Sequence, residues 1–480
     1  MIGALVASVL VSCILVEIIY RAVRNPKLKP ALTSVQSGFS EFRKATTDDE
    51  RQRLLIGVGS KTLLLSTTFL LTCVVLGLIA FTPPWAFGWG ESTEIVYLVA
   101  LTLVSALWFY GRVKLTGNKP TAAKMNEGSY GLVDRWLHQL ALGSNTLRRI
   151  AFDLEKLIAL PAKQAGADSP VYVCGLARSG TTLLLRILDQ AECFRSLSYR
   201  DMPFVMAPNL WKKISRHGER VVALAERAHG DGIYVGYDSP EAFEEVFWQT
   251  FDSPASETAC YDMPVPSKET LKVFAQYRLM VANPKSSSGA ARRYLSKNNN
   301  NLVRLSSLCA EASATVLLVY RDPLATARSL HRQHQRFLAA QQEDPFTLKY
   351  MQWLGHHEFG LAHKPFCFAA AAMNPALKPE QPDYWLDYWN AVHAYVLKHE
   401  EHTIHLVHHD TMCTEAEVFL GRLFELLNIK MDVPALAQEI RAPRTAAAPA
   451  DEFSPELLRA AYQIYSLLRE KTGNIFVSSN

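Results

Sequence analysis

The 480-residue sequence has no Cys-x-x-Cys pair, and its eight cysteines are scattered along the chain. This spacing is typical of reduced thiols in a cytosolic compartment, and we expect no disulfide framework. There is no internal repeat, so a repeat architecture is not expected. The formal net charge is only +4, which says little about partners. We expect no nucleic-acid partner. A chain of this length has room for about three domains.

The lysine of the usual phosphate-binding loop, GxxxxGK[ST], is also missing. Gly175 and Gly180 keep the glycine spacing of that pattern, but Thr181 stands at the lysine position. Because that lysine contacts the β- and γ-phosphates of ATP or GTP, its absence argues against a nucleoside triphosphatase or an ordinary kinase. Arg178 supplies a cation inside the loop instead. This fits a nucleotide whose transferred group is not a γ-phosphoryl group.

The sequence around the glycine loop predicts a strand before it and a helix after it. Val171–Cys174 is a short apolar run that suits a buried strand, and the leucine-rich stretch at 183–188 suits a core-packed helix. A strand, a glycine-bounded loop and a helix start form a site for phosphate. The loop N–H groups close on the anion, and the helix N-terminus adds partial positive charge.

A second strand-to-helix junction follows at 315–334. Val316–Tyr320 is another apolar run, Asp322 is a natural N-cap, and Pro323 is a natural first helical residue. This arrangement places Arg321 at the end of the strand and Ser329 about two turns into the helix.

With both junctions in view, the sequence resembles the sulfotransferases that use 3′-phosphoadenylyl sulfate (PAPS), in a membrane-anchored form of the tyrosylprotein and carbohydrate branch. The ARSGTT motif is similar to the family's 5′-phosphosulfate loop, and Arg321 and Ser329 keep the spacing of residues that bind the 3′-phosphate. The resemblance covers residues 169–429. It implies PAPS as co-substrate, PAP as product and no required metal. The nucleotide-binding residues that it implies are Arg178, Ser179, Gly180, Thr181, Thr182, Arg321 and Ser329.

The resemblance also implies a carboxylate base after the loop helix, for which Asp201 is the nearest match, with Asp in place of Glu. The alternative is that Asp201 caps a helix or pairs with Arg195 or Arg200. Lys297 matches a family lysine that lies near the transferred sulfuryl group. A solvated loop lysine is the alternative reading of Lys297. Together with Arg178, these residues are expected to be catalytic.

Other residues compete for the role of general base. A helix predicted to begin at Ser239–Pro240 carries Glu241, Glu244 and Glu245 in its first turns. These glutamates are either helix-dipole partners or a carboxylate cluster that deprotonates an acceptor.

A further candidate base lies in an insertion-like stretch at 335–381, where His356 or His357 is the rival. The spacing of His356, His357, Glu358 and His363 is not HExxH, so we expect an acceptor-binding loop and no metal site.

Three apolar runs near the N-terminus, at 2–20, 62–81 and 95–110, predict membrane-spanning helices, although the third is short. Lysine and arginine are concentrated between the first two runs and after the third, and are absent between the second and third. The positive-inside rule then predicts three spans followed by a cytoplasmic domain. A hydrophobic hairpin lying on the membrane is the alternative.

We therefore expect a transmembrane region at 1–115, an amphipathic helical linker at 116–168 and an α/β domain at 169–480. From Val171 onward, predicted strands alternate with predicted helices. This alternation is typical of a P-loop-type parallel sheet flanked by helices.

The function that the resemblance implies is sulfuryl transfer to a hydroxyl or amine of a membrane-associated lipid, glycolipid or glycan. The alternatives are a P-loop phosphotransferase and a catalytically silent nucleotide-binding membrane protein. The bilayer is the expected partner, and the oligomeric state stays open.

Overall fold

The computed structural model describes residues 132–161, 169–215, 225–226, 234–235, 240–252, 258–283, 291–399, 404–440 and 450–472. All of them belong to one compact unit, Ala122–Asn480. The three apolar runs that predict membrane spans lie outside the described residues. Among the helices of the described part, none combines the length and the apolar character needed to cross a bilayer.

A five-stranded parallel sheet in the order β2-β5-β1-β6-β7 forms the centre of the domain, and a separate antiparallel pair, β3 and β4, lies outside it. The strands are β1 Val171–Cys174, β2 Phe194–Arg195, β3 Ala225–Glu226, β4 Tyr234–Val235, β5 Arg293–Lys297, β6 Thr315–Tyr320 and β7 Ile404–His408. The predicted α/β class with a parallel sheet is therefore confirmed. Because β1 lies between β5 and β6, the ends of three neighbouring strands meet at the glycine loop.

Helices lie on both sides of this sheet, because its strands are apolar on both faces. Along β1, Tyr172 and Cys174 belong to one hydrophobic core and Val171 and Val173 to a second. The helices are α1 Leu132–Gly143, α2 Asn145–Ala159, α3 Thr181–Asp189, α4 Pro208–Ser215, α5 Glu245–Phe251, α6 Lys268–Ala282, α7 Leu305–Cys309, α8 Pro323–Glu343, α9 Pro345–Trp353, α10 Cys367–Ala370, α11 Pro382–Val396, α12 His409–Thr414, α13 Ala416–Leu427, α14 Val433–Glu439 and α15 Pro455–Thr472.

The predicted amphipathic helical segment contains two helices, α1 and α2, which pack into the domain. Phe152 is buried in the larger core, with its ring against those of Phe247 and Phe251. The buried carboxylate of Glu155 accepts hydrogen bonds from the N–H groups of Asn209 and Leu210 at the start of α4. Within the described residues 132–161, α1 and α2 thus pack into the α/β unit.

The helix predicted to begin at Ser239–Pro240 begins later, at Glu245. Pro240 instead forms an isolated antiparallel bridge with Ser198. Residues 241–244 are therefore extended or turn-like, and Glu241 is separated from the helix that carries Glu245.

The expectation of reduced thiols is wrong for one pair, because Cys260 and Cys367 form a disulfide. The two residues are 107 positions apart in the sequence, so their spacing gave no sign of the bond. The disulfide is supported by a backbone bridge in which Tyr261 donates to the carbonyl of Pro365 and accepts from the N–H of Cys367. It attaches the segment before α6 to the insertion after α9.

Candidate active site

The glycine loop at 175–180 has the backbone geometry that phosphate binding requires. Gly175 and Gly180 have φ values of 144° and 102°, and Arg178 has a φ of 70°. A side chain at Gly175 would collide with the carbonyl oxygen of Val319, and one at Gly180 would collide with the ring of His409. Helix α3 begins at Thr181 without a side-chain cap, so its first N–H groups face the loop.

A cavity of about 210 Å³ lies at the carboxyl ends of β1, β5 and β6 and beside the start of α12. Its lining brings together the predicted residues Arg178, Gly180, Thr181, Thr182, Glu241, Lys297, Arg321 and His356. These residues come from stretches that are far apart in the sequence. Parallel sheets bind ligands at this edge, because the strand ends and the loops that follow them converge there.

The two predicted nucleotide anchors contact each other directly. Arg178 Nε donates a hydrogen bond of 3.0 Å to Ser329 Oγ on α8. Arg321 lies at the end of β6 with its Nε atom 3.9 Å from Asp410 Oδ1, and within the described chain this buried Nε has no hydrogen-bond partner. The cavity therefore holds guanidinium groups that are positioned for an anion.

Ser179 is placed differently from the other loop residues. Its side chain is buried but is not part of the cavity lining, and its N–H donates to the carbonyl of Leu176 within the turn. The geometry gives Ser179 a role in the shape of the loop, and its hydroxyl does not face the cavity.

Lys297 is only 6 % exposed and lines the cavity at the end of β5. This burial rules out the alternative of a solvated loop lysine. The charge of Lys297 lowers the pKa of both His356 and Glu358, although desolvation and the interaction between these two side chains have larger effects on both pKa values. The lysine therefore lies close to these two side chains.

Asp201 does not line the cavity, and its position argues against the predicted role as general base. The residue is 4 % exposed and belongs to the short 3-10 helix Tyr199–Asp201, where its Oδ2 accepts from the N–H and the hydroxyl of Ser198. Arg195 Nη2 lies 3.4 Å from both carboxylate oxygens. Asp201 is thus a capping residue and an ion-pair partner, which is the alternative reading of this position.

Glu244 and Glu245 are also engaged in the interior. Glu245 forms a paired contact of 2.9 Å at each oxygen with Arg304, and both side chains are almost fully buried. Glu244 accepts from Trp248 Nε1 at 3.0 Å and from the hydroxyl of Tyr294 at 3.1 Å. Both glutamates stabilise the fold and are not available as bases in the cavity.

Glu241 remains a candidate because it lines the cavity. Its Oε2 accepts from the Tyr199 hydroxyl at 3.3 Å, and its Oε1 accepts from the N–H of Ala242 at 3.0 Å. The carboxylate is half-buried at one side of the cavity, beside Phe243.

His356 is the second candidate that reaches the cavity, and it forms a pair with Glu358. His356 Nδ1 lies 3.3 Å from Glu358 Oε2. Desolvation lowers the pKa of His356, but the carboxylates of Glu358 and Glu241 outweigh it and raise the pKa above the ordinary value. Desolvation raises the pKa of Glu358, but His356 and Lys297 more than reverse this and hold it far below its usual range. Since an ionised carboxylate only accepts, Nδ1 carries the proton and Nε2 is the basic nitrogen.

The other two histidines of the insertion have structural surroundings. His357 is absent from the cavity lining, its ring packs against Tyr261 at 5.1 Å, and burial lowers its pKa. Burial also lowers the pKa of His363 to about 3, and its ring nitrogens meet the Tyr384 hydroxyl and the carbonyl of Glu358, each at 2.8 Å. In the described part of the chain, no cluster of His, Cys, Asp and Glu has the geometry of a metal site.

Among the cavity residues that were missed from the sequence, Asn299 and His409 follow strand ends. Asn299 accepts from Thr181 Oγ1 at 3.3 Å and donates to Glu358 Oε1 at 3.2 Å, so it joins the glycine loop to the His356–Glu358 pair. His409 lies against Gly180, and its Nδ1 is 2.9 Å from Asp410 Oδ1. Their places directly after β5 and β7 are the signal that could have found them.

Solved structures similar to this chain include bacterial sulfotransferases. STF9 from Mycobacterium avium is 14 % identical with a TM-score of 0.38, and the alignment covers 70 % of this chain and 83 % of that one. STF1 from Mycobacterium tuberculosis H37Rv is 13 % identical with a TM-score of 0.35, and the alignment covers 71 % and 90 %. A sulfotransferase from Alicyclobacillus acidocaldarius is 12 % identical with a TM-score of 0.31, and the alignment covers 64 % and 96 %. Similarity at this level establishes no common activity.

No curated protein sequence matches the chain significantly. A family model does match, over residues 170–363, and this range contains the glycine loop, Lys297, Arg321, Ser329 and the His356–Glu358 pair. The part of the chain that forms most of the cavity is therefore similar to the sulfotransferase family.

Proposed function

We propose that this protein transfers a sulfuryl group from PAPS to a hydroxyl or amine of a membrane-associated acceptor such as a lipid, glycolipid or glycan. One observation carries the proposal. A lysine-free glycine loop and the guanidinium groups of Arg178 and Arg321 share one cavity with a His–Glu pair. The family match over residues 170–363 supports the same reading.

The donor half of the cavity suits a nucleotide with two separated phosphate groups. The N–H groups at the start of α3 and the hydroxyls of Thr181 and Thr182 are suited to the 5′-phosphosulfate. Arg321 lines the cavity, its Nε has no hydrogen-bond partner among the described residues, and it is suited to the 3′-phosphate. Ser329 does not line the cavity and is connected to it through its hydrogen bond with Arg178. Arg178 contacts Ser329 and therefore stands between the two groups.

The base in the proposed reaction is His356. His356 Nε2 takes the proton from the acceptor hydroxyl while the acceptor oxygen forms a bond to sulfur. The bond between sulfur and the bridging oxygen of the 5′-phosphate breaks, and its electron pair stays on that oxygen as PAP leaves. Lys297 and Arg178 stabilise this developing charge. Glu358 holds His356 in the reactive tautomer, and Glu241 is the remaining alternative base.

The proposal is tested with the full-length protein in detergent and a pool of membrane extract as acceptor. We expect the label of [³⁵S]PAPS to move to an acceptor and no phosphate to move from [γ-³²P]ATP. Phosphoryl transfer would favour a P-loop phosphotransferase. Tight PAP binding without turnover on any acceptor would favour a silent nucleotide-binding protein.

A further inference from the structure

His409 lines the cavity, but the proposed reaction gives it no role. The residue follows β7, is 8 % exposed and shares the lining with Gly180, Thr181 and Thr182. A Cβ atom at Gly180 would collide with Cδ2 of the His409 ring and would lie 3.2 Å from its Nε2. The Nε2 edge of the ring therefore lies against the glycine loop. The residue also lies outside residues 170–363, over which the family model matches.

The two ring nitrogens of His409 have different partners. Nδ1 lies 2.9 Å from Asp410 Oδ1. Burial raises the pKa of Asp410, but the hydrogen bond and charge of His409, with His408 and Arg321, more than reverse this and lower the pKa. Since an ionised carboxylate only accepts, Nδ1 carries a proton. Nε2 lies 3.7 Å from Cys413 Sγ, and burial raises the pKa of this thiol to about 11, so the thiol stays protonated and donates to Nε2.

This arrangement exceeds what is needed to fill space beside Gly180. An apolar side chain would occupy that space without a carboxylate partner, whereas His409 brings a polar ring edge to the loop and Asp410 fixes its orientation. The same Oδ1 atom of Asp410 also lies 3.9 Å from Arg321 Nε. One carboxylate thus lies beside two cavity side chains that can carry positive charge. A histidine held in this way donates to an anion once its second nitrogen is protonated.

The charge balance around His409 changes when a nucleotide binds. In the free cavity, the cations Arg178, Lys297 and Arg321 oppose a positive charge on the ring. PAP brings ~3–4 negative charges on its two phosphate groups, which outweigh these cations. The further titratable groups nearby are His408 at the end of β7 and the cavity residues Glu241, His356 and Glu358. Helix α13 packs on α12, and the apolar side chains that belong to their shared core include Met412, Phe419 and Leu420.

We propose that His409 is a ligand of the anion on the glycine loop and takes up one proton at Nε2 when the nucleotide binds. The proton comes from solvent, Nε2–H donates to a phosphate oxygen, and Asp410 stabilises the imidazolium at Nδ1. This inference rests on the proposed nucleotide binding and adds one residue and one proton to it. Because a proton is bound together with PAP, the affinity for PAP should fall as pH rises, by up to about tenfold for each pH unit.

Calorimetry of PAP binding to the full-length protein in detergent counts this proton. At about pH 8 the phosphate monoesters, with a second pKa of ~6, are already ionised, so any proton taken up goes to the protein. The binding enthalpy in buffers of different ionisation enthalpy gives the number of protons, and we expect net uptake. Binding without net uptake would overturn the inference and leave nucleotide binding standing. Failure of the protein to bind PAP at all would overturn both.

A matched pair of histidine variants assigns the proton to its residue. His409→Gln keeps an amide N–H but cannot be protonated, whereas His405→Gln makes the same change at a half-buried position of β7 outside the cavity. At about pH 7 we expect His409→Gln to bind PAP roughly tenfold more weakly and without net proton uptake, since the charge-assisted hydrogen bond is lost. The His405 variant should match the unchanged protein in both quantities.

His356→Gln separates the two histidines of the cavity. It should keep most of the proton uptake, because His356 belongs to the reaction and not to the phosphate site. Uptake that is lost in His356→Gln and kept in His409→Gln would overturn the inference. The measurement on the unchanged protein decides against the inference even if His409→Gln does not fold, since it requires no variant.

Discussion

Under the proposed function, Arg321 is the residue expected to discriminate for a 3′-phosphate. Its Nε atom is buried without a hydrogen-bond partner in the described chain, and it lies 3.9 Å from Asp410 Oδ1. We expect Arg321→Ala to weaken PAP binding by roughly 10²-fold, since losing a charged contact costs a few kcal/mol. Calorimetry with PAP and with AMP measures the change, and the loss should be confined to PAP.

Arg332 provides the control for this substitution. It lies exposed on the same helix, α8, and does not line the cavity. Arg332→Ala should leave PAP affinity unchanged. If Arg321→Ala binds PAP as tightly as the Arg332 variant does, the assignment of the 3′-phosphate to β6 and α8 is wrong.

The pair of His356 and Glu358 predicts a specific pH dependence. The raised pKa of His356 means that the neutral, basic form appears only as pH rises through that pKa, so kcat should increase with pH there. Glu358→Gln removes the main charge that raises this pKa. The rising limb of the kcat profile should therefore move to lower pH, while the plateau falls because the tautomer is less well fixed.

Two results complete this test. His356→Gln should lower kcat by ~10²–10⁴-fold, the usual contribution of a general base. A rising limb that does not move in Glu358→Gln would transfer the role of base to Glu241.

Asn299 stands where the short 3-10 helix Asn299–Arg304 follows β5, and it links two elements that must act together. It bonds Thr181 of the glycine loop and Glu358 of the insertion. We expect Asn299→Ala to lower kcat about tenfold or more with little change in PAP affinity, because a hydrogen bond to a charged group contributes ~1.5–3 kcal/mol. Asn299→Asp keeps an acceptor for Thr181 but repels Glu358, so it should also be impaired. A kcat within twofold of the unchanged protein in both variants would show that the link has no role.

The buried pair of Arg304 and Glu245 joins the same 3-10 helix to α5. Their side chains are 1 % and 2 % exposed. Arg304→Met leaves the Glu245 carboxylate buried without its partner, which should cost ~3–5 kcal/mol in the free energy of unfolding. Arg459→Met breaks an ion pair whose side chains are 73 % and 75 % exposed, and it should cost less than about 0.5 kcal/mol. Urea unfolding of both variants measures the contrast, and equal losses would contradict it.

The elements that could be predicted from the sequence are those fixed by local signals. The apolar runs of β1 and β6 and the Asp322–Pro323 cap each act within a few residues, and the glycine spacing defines the loop. Because parallel strand ends share one edge, the meeting of Arg178 with Arg321 followed from these elements.

Which of the candidate carboxylates faces the cavity could not be predicted in the same way. Asp201 and Glu241 are equally polar in the sequence, and only tertiary contacts decide that Asp201 caps a short helix while Glu241 faces the cavity. The same holds for Asn299, whose partners lie in distant segments.

The disulfide between Cys260 and Cys367 bears on where the domain lies relative to the membrane. The cytoplasmic placement predicted from loop charges remains a proposal, as do the membrane spans on which it depends. Disulfides persist in oxidising compartments and are rare in the cytosol, so this bond favours an oxidising compartment for the domain. The loop charges therefore predict a cytoplasmic domain, whereas the disulfide predicts a domain in an oxidising compartment.

Thiol labelling of the protein, denatured directly from cells, decides between these two predictions. If the domain lies in an oxidising compartment, Cys260 and Cys367 should react with a maleimide only after reduction. Cys193, a half-buried thiol outside the bond, should react in denaturant without reduction.

The bond also holds the insertion that carries His356 and Glu358, through the bridge between Tyr261 and Phe366. The double change Cys260→Ala and Cys367→Ala should therefore lower kcat and cost ~2–4 kcal/mol of stability, while PAP binding at the glycine loop is kept. Cys193→Ser should change neither quantity. Full labelling of Cys260 and Cys367 without reductant, together with an unchanged kcat in the double variant, would restore the cytoplasmic placement and remove the disulfide from the active protein.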